Sequence, residues 1–337
     1  MKGYYGVDTN ISSYQLDRLD ILNYEVINLL LRLIHKTNHM AHEKTISNEQ
    51  AQSNIPVAIR IILVILGTLF VGGLFSFIAS LIMGANLDDI QQAQDISLKE
   101  HFFTQGAGFI GSLAVIFFFR KNIDLRSITS MGFPIKGRNR DLLWGFFIAA
   151  SIMILGTSIL LINNNITVTG IHFNSSDFFY GFLLFIIVAL NEEIICRGYI
   201  LNNLMESMNP YWSLIISSAI FTLGHSFNDN LSIFGITNLF IAGILLGSTY
   251  IYTRNLWFPI SLHLFWNFIQ GCVFDYNVSG LDVSSVFKFD MLVKSTFNGG
   301  DFGFEGSWLC TLLSSATILL IFYYYKKQNT PVIRKQK

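Results

Sequence analysis

Eight long runs of apolar residues alternate with short polar segments along the chain. A helix needs about 20 residues to cross a bilayer, and each run comes close to that length. The pattern therefore predicts an all-α fold, a polytopic membrane helix bundle of about eight transmembrane helices. We expect the spans near residues 57–83, 102–119, 142–163, 178–201, 210–227, 231–253, 256–274 and 307–325.

The polar and apolar positions also divide the chain into three parts. Residues 1–54 form a polar arm of mixed charge that lacks the composition of a signal peptide. Residues 55–325 form one transmembrane domain, and residues 326–337 form a basic tail. Within the arm, apolar residues at helical spacing predict an amphipathic helix that lies on a membrane surface or on the protein itself. These residues are Leu22, Val26, Leu29, Leu30 and Leu33.

Composition supports a membrane protein and excludes some other classes. The chain is 52% hydrophobic and 13% charged, whereas soluble domains usually carry about 25% charged residues. Lys+Arg and Asp+Glu balance at 22 each, so no net positive field predicts nucleic acid as a partner. The 3 cysteines show no CxxC spacing, so neither a zinc ribbon nor a disulfide framework is indicated.

The distribution of basic residues predicts the direction of insertion. The segment 120–141 and the tail are rich in Lys and Arg, whereas the alternate loops hold few. By the positive-inside rule, both termini and the 120–141 loop face the cytoplasm. We therefore expect a multi-pass protein of the cell membrane, with the lipid bilayer as its surroundings.

Three polar islands interrupt the apolar spans. An ionised side chain near a bilayer centre costs at least about 2.5–3.5 kcal/mol, so these islands need an explanation. Each island holds an i,i+4 pair, whose members share one helix face. The islands are Glu192-Glu193 with Arg197, Phe221 with His225, and His263 with Asn267.

The positions of the islands predict that they meet. The fourth and fifth spans form a hairpin that turns near 208–209, and Glu192 and His225 lie at similar distances on either side of this turn. His263 lies roughly 12 Å into the seventh span at 1.5 Å per residue. If the hairpin tip projects about two helical turns beyond the lipid, all three islands form one cluster nearer the cytoplasmic face.

The residue types of this cluster suit hydrolysis of an acyl bond. A carboxylate and a neutral imidazole together can deprotonate a water and later protonate a leaving amine. His263 and the Asn267 amide, as neutral donors, can face a developing oxyanion without a net charge being buried. Taken singly, each polar residue more often forms a hydrogen bond between helices than acts as a catalyst. The cysteines are best interpreted as small side chains packed in the interior.

In this order on hydrophobic helices, Glu192-Glu193-x-x-x-Arg197, Phe221-x-x-x-His225 and His263-x-x-x-Asn267 resemble the motifs of a known family. It is the CAAX protease and bacteriocin-processing family (CPBP, or Abi) of intramembrane proteases, which includes the type II CAAX prenyl endopeptidases. The resemblance covers roughly residues 140–270 and makes 55–325 a transmembrane protease domain.

The resemblance implies a role for each motif residue. Glu192 and His225 activate the attacking water, and His263 and Asn267 form the oxyanion hole. Glu193, Arg197 and Phe221 support the site. We expect no cofactor. The alternative is a metalloprotease with Zn²⁺ on Glu192, His225 and His263, although no HExxH motif is present.

The family also implies a peptide or membrane-associated protein as substrate, and the predicted position of the cluster indicates approach from the cytoplasmic side. The substrate's identity stays open, with bacteriocin processing or immunity among the roles of bacterial relatives. Two other classes also stay open: a non-catalytic immunity or scaffold protein that retains the motifs, and a proton-coupled transporter. The sequence shows no inverted repeat, which counts against the transporter.

Overall fold

The computed structural model describes Arg32 and residues 53–84 and 97–332. The chain divides into two units, Met1–Ser53 and Asn54–Lys337. The amphipathic helix predicted for the arm lies outside the described residues, apart from Arg32, which is helical and exposed. The structure that follows is that of the second unit.

Eight helices of more than ten residues make up most of the described part of this unit. Three of them contain π-helical turns, and α7 continues beyond Asn267 as π turns at Phe268–Val273. In chain order the helices are α1 Val57–Ile82, α2 Leu98–Ile123, α3 Asn139–Ile162, α4 Ser175–Ser207, α5 Pro210–Gly224, α6 Ile233–Thr253, α7 Trp257–Asn267 and α8 Trp308–Lys327.

The prediction of an all-α polytopic membrane bundle is confirmed, but the expected number of spans is not. Six of these helices, all except α5 and α7, are long and apolar enough to cross a membrane. Helix α5 has 15 residues, about 22 Å at 1.5 Å per residue, which is shorter than a bilayer core. It begins at Pro210, where the Asn209 side chain accepts from Tyr211 N–H, and it ends at Gly224.

Two short strands pair in the loops, which the all-α prediction did not include. Strand β1 (Ile166–Ile171) follows α3, and β2 (Phe287–Met291) lies between α7 and α8. They are antiparallel, with Ile166 opposite Met291 and Ile171 opposite Phe287, and an irregularity falls between Val168 and Gly170. Because more than a hundred residues separate the strands, no hairpin signal marks them in the sequence.

Glycines bring the site-bearing helices close together. A Cβ on Gly145 of α3 would lie 2.7 Å from Leu262 N of α7. A Cβ on Gly243 of α6 would lie 2.8 Å from Ser218 Cα of α5, and one on Gly247 would lie 2.4 Å from a Leu214 methyl carbon. The Gly243-x-x-x-Gly247 stretch is thus a close-packing face of the kind that membrane helices use.

A buried charge network joins α1, α2 and α4 at the end of the bundle where α4 turns into α5. Asp124, just after α2, pairs with Arg60 of α1 and with Arg120 of α2. Tyr199 Oη and Asn203 Nδ2 of α4 also donate to its carboxylate, both at 3.3 Å. All five side chains are buried, so the network fixes this end of the bundle without exposing charge to lipid.

Candidate active site

The fold brings the three polar islands of the sequence into one cluster. Glu192 lies on α4, His225 follows the last residue of α5, and His263 lies within α7. Glu192 Oε2 is 3.7 Å from His225 Nε2 and 3.9 Å from His263 Nε2. One carboxylate oxygen therefore faces an imidazole nitrogen from each of two other helices.

Glu193 contacts the Nδ1 side of His263, whereas Glu192 faces its Nε2, and Glu193 anchors the surroundings of the cluster. Its Oε1 accepts from Arg197 Nη1 at 2.9 Å and lies 2.8 Å from His263 Nδ1. Arg197 Nη2 donates to Gly243 O at 3.0 Å, and its guanidinium carbon lies 4.8 Å from the centre of the Phe221 ring. Glu193 is 0% exposed and Arg197 1%. This buried pair links α4 to α5, α6 and α7 around the cluster.

The hydrogen bonds of the two histidines determine which nitrogens carry protons. His225 Nδ1 lies 2.8 Å from the Phe221 carbonyl oxygen. A carbonyl oxygen can only accept, so Nδ1 donates, and Nε2 of the neutral ring is left as an acceptor facing Glu192. Since Glu193 is paired with Arg197, its carboxylate likewise accepts from His263 Nδ1–H.

Phe221 and Asn267 complete the wall around the cluster. The Phe221 ring centre is 4.5 Å from that of His225 and 6.3 Å from that of His263, so it packs against both imidazoles. Asn267 lies one turn beyond His263 on α7 and is 6% exposed. Its side chain lines the cavity described below and has no hydrogen bond to another residue of the described part of the chain.

Glu192 differs from its neighbour in having no arginine paired with its carboxylate. Its Oε2 is buried and, like Glu193 Oε2, makes no hydrogen bond within the described structure. The distances of 3.7 and 3.9 Å to the two Nε2 atoms are too long for direct hydrogen bonds. Polar groups at such separations are commonly bridged by a water molecule.

The cluster lines a cavity of about 1440 Å³. Its walls come from α1, α2, α4, α5, α6 and α7 and from the loops that follow α5 and α7. Four of the lining residues carry carboxylates, and no Lys or Arg of the described chain lines it: the four are Glu192, Asp229, Asp282 and Glu305. The Phe227 side chain, 97% exposed, and the exposed residues Asp229 and Asp282 stand where the loops meet the cavity.

The cavity reaches the end of the bundle opposite the α4–α5 hairpin. Because α5 ends at Gly224, His225 lies at the far end of that helix, beside the loop that contains Asp229. The depth argument from the sequence correctly brought the islands to one level. The loops that line the cavity, however, are those that charge counting assigns to the extracytoplasmic side, not the cytoplasmic side expected for substrate approach.

The alternative zinc site receives no support from the geometry. The described residues contain no group of three His, Cys, Asp or Glu side chains disposed to hold a metal. Ligand atoms on a tetrahedral zinc with bonds of about 2.0–2.1 Å lie about 3.3 Å apart, closer than the two contacts of Glu192 with the imidazoles. The donor types suit zinc, but their arrangement here does not.

Two residues near the cluster were not among the predicted site residues. Glu305 belongs to the glycine-rich stretch 299–306, which matched no motif, and Trp266 had the pattern of ordinary packing. In the structure both line the cavity, and Trp266 Nε1 donates to Glu305 Oε1 at 2.8 Å. Only the glycine-rich composition of the loop signalled an unusual conformation there.

The fold identifies a polytopic α-helical membrane protein. Residues 174–269 match the model of the family described as type II CAAX prenyl endopeptidase Rce1-like. This range runs from the start of α4 to just beyond α7 and contains all seven predicted site residues. The match confirms the resemblance to the CPBP family of CAAX proteases. No curated protein and no solved structure was found to match the chain.

Proposed function

We propose that this protein is an intramembrane endopeptidase that hydrolyses a peptide bond in a peptide or membrane-associated protein. The family match supports a peptidase. The observation that carries the proposal is the convergence of His225 Nε2 and His263 Nε2 on the unpartnered Glu192 Oε2 in a large internal cavity.

In the proposed reaction, a water molecule between Glu192 and His225 is the nucleophile. The Glu192 carboxylate accepts one proton as the water oxygen attacks the peptide carbonyl carbon. His225 Nε2, which is an acceptor in the neutral ring, holds the water by its second hydrogen. When the tetrahedral intermediate collapses, the proton on Glu192 passes to the leaving amine, so Glu192 returns to its starting state.

In the same reaction, His263 and Asn267 stabilise the oxyanion. The Asn267 amide is a neutral donor that no described residue engages. His263 uses its Nδ1 proton on Glu193, so a second proton on Nε2 makes the ring an imidazolium. A positive ring beside a forming oxyanion gives strong stabilisation in a site shielded from bulk water. We therefore assign the charged form of His263 to the reacting complex, in place of the neutral donor expected from the sequence.

The test is cleavage of a broad peptide library by the purified protein in detergent. Wild type is compared with Glu192→Gln, His225→Ala and the matched control Glu206→Gln. Glu206 lies on the same helix, contacts Arg120 at 3.8 Å, and is absent from the cavity wall. We expect products from wild type and the control, and a loss of at least about 100-fold in the first two variants.

A chelator arm tests the metal-free assignment, which we retain as part of the proposal. Activity that persists after chelation supports the glutamate mechanism, whereas loss restored by zinc overturns it. If Glu192→Gln cleaves as wild type does, the peptidase mechanism proposed here is wrong. If wild type makes no products from the library, the non-catalytic immunity or scaffold function is favoured instead.

A further inference from the structure

Glu305 is a buried carboxylate that the proposed reaction does not use. It is 8% exposed and lies in the loop between β2 and α8. Its Oε1 accepts from Trp266 Nε1–H at 2.8 Å, and its Oε2 accepts from the backbone N–H and the hydroxyl of Ser279, each at 2.8 Å. Three neutral donors thus surround it, and none of the ion pairs of the described residues includes it.

The donor from α7 connects Glu305 to the proposed oxyanion hole. Trp266 directly precedes Asn267 and is three residues after His263, so it lies on the adjoining face of the same helical turns. Its indole is 7% exposed. A hydrogen bond that holds this large side chain also resists rotation of α7 about its axis, and such rotation moves the His263 and Asn267 side chains.

The backbone of the glycine-rich loop places Glu305 at this point. Gly299 has φ +90° and Gly303 has φ +86°, a region that favours glycine. A Cβ on Gly303 would lie 2.1 Å from the Asn277 carbonyl oxygen. From α6, Asn238 Nδ2 donates to Glu305 O at 2.6 Å and to Ser307 O at 2.7 Å. The loop is therefore tied to α6 on one side and, through Glu305, to α7 on the other.

Burying a carboxylate is costly if its only role is to hold the loop against α7. An ionised group loses its hydration on burial, and neutral hydrogen bonds replace only part of it. Its hydrogen bonds are correspondingly stronger than neutral ones. We propose that Glu305 is a positioning residue, which holds α7 through Trp266 so that His263 and Asn267 face the oxyanion. This inference rests on the proposed function.

The experiment measures kcat and KM separately, together with thermal unfolding, for purified variants in detergent. Glu305→Gln keeps the size of the side chain but turns an amide N–H₂ toward one of its donors. Trp266→Phe removes the donor on α7. Asp301→Asn is the matched control: Asp301 lies in the same loop and pairs with Lys294, and both side chains are more than half exposed.

We expect Glu305→Gln and Trp266→Phe each to lower kcat about 10- to 100-fold with KM changed less than about threefold, and Asp301→Asn to have no effect. Because both variants weaken or remove the same contact between residues 266 and 305, the double variant should be no slower than the slower single one. The unfolding temperature of Trp266→Phe should stay within a few degrees of wild type, which separates positioning from stability.

Other outcomes overturn the inference. If the losses in kcat follow the losses in unfolding temperature, Glu305 is structural only, and equal kcat in all variants excludes positioning. Should Glu305→Gln fail to fold, Trp266→Phe with Ser279→Ala decides by the same criteria, with a loss of kcat expected for Trp266→Phe. Failure of the proposed function looks different, because then Glu192→Gln cleaves as well as wild type.

Discussion

Removing one member of the buried pair between Glu193 and Arg197 should destabilise the protein more than removing both. Their side chains are 0% and 1% exposed and their contact is 2.9 Å. Arg197→Met leaves the Glu193 carboxylate buried without its cation, which typically costs about 3–5 kcal/mol. Total stabilities are of order 5–15 kcal/mol, so this single change removes a large fraction. At about 2–4 °C per kcal/mol, the unfolding temperature falls by roughly 10 °C.

The assay is a double-mutant cycle on thermal unfolding in detergent, with Arg197→Met, Glu193→Gln and both together. Glu193→Gln retains an oxygen that can accept from His263 Nδ1–H. It leaves the Arg197 guanidinium without a carboxylate, in contact with only Gly243 O and the Phe221 ring. The double variant buries no charge of the pair, so it should be at least about 1.5 kcal/mol more stable than the sum of the single effects. Additivity within about 0.5 kcal/mol would refute the coupling.

Three further predictions follow from packing and charge. Gly243→Ala should destabilise the bundle by about 1–3 kcal/mol in thermal unfolding, because its Cβ would meet Ser218 Cα at 2.8 Å. The control Gly73→Ala, with nothing within 4 Å of its Cβ, should not. Asp124→Asn leaves the buried Arg60 without its carboxylate and Arg120 with only the 3.8 Å carboxylate contact to Glu206, so it should cost at least about 3 kcal/mol in the same assay; an unchanged unfolding temperature contradicts this. Finally, the carboxylates lining the cavity should favour peptides that carry Lys or Arg over those with Asp or Glu. In a cleavage assay Asp229→Asn with Asp282→Asn should raise KM for the basic peptides, and equal KM for both peptide classes excludes the effect.

The sequence predicts the helices well because each apolar run has its own local signal. All eight predicted segments coincide with helices of the structure, and the i,i+4 pairs predicted which polar residues share a face. The lengths of α5 and α7 were less predictable. The predicted span continues past Gly224 through His225 and Ser226 to Phe227, but the helix ends before His225. Hydropathy alone does not register where a helix stops inside an apolar run.

Contacts between distant segments account for the rest. The hydrogen bond between Trp266 and Glu305 joins α7 to a loop 39 residues later in the chain, and the link between Arg60 and Asp124 spans 64 residues. Neither contact is indicated by a periodic pattern in the sequence. The loops that line the cavity were also not predictable from depth alone, because that estimate fixes the level of the residues and not the direction of the space between them.

Glu192 and Glu193 are adjacent, yet their carboxylates should have opposite effects on the stability of the fold. Glu193 has a cation and a histidine on its carboxylate, so its charge is compensated by the fold. Both glutamates have a buried Oε2 without a hydrogen bond, but only Glu192 lines the cavity and lacks an arginine, so the fold leaves its carboxylate for another group to satisfy. Removing an uncompensated group relieves a cost, so Glu192→Gln should unfold at the same or a higher temperature while losing cleavage. Glu193→Gln should unfold at a lower temperature. If instead both variants lose stability equally, the partnerless oxygen of Glu192 is not a cost to the fold, and the separation of a structural from a reactive glutamate is wrong.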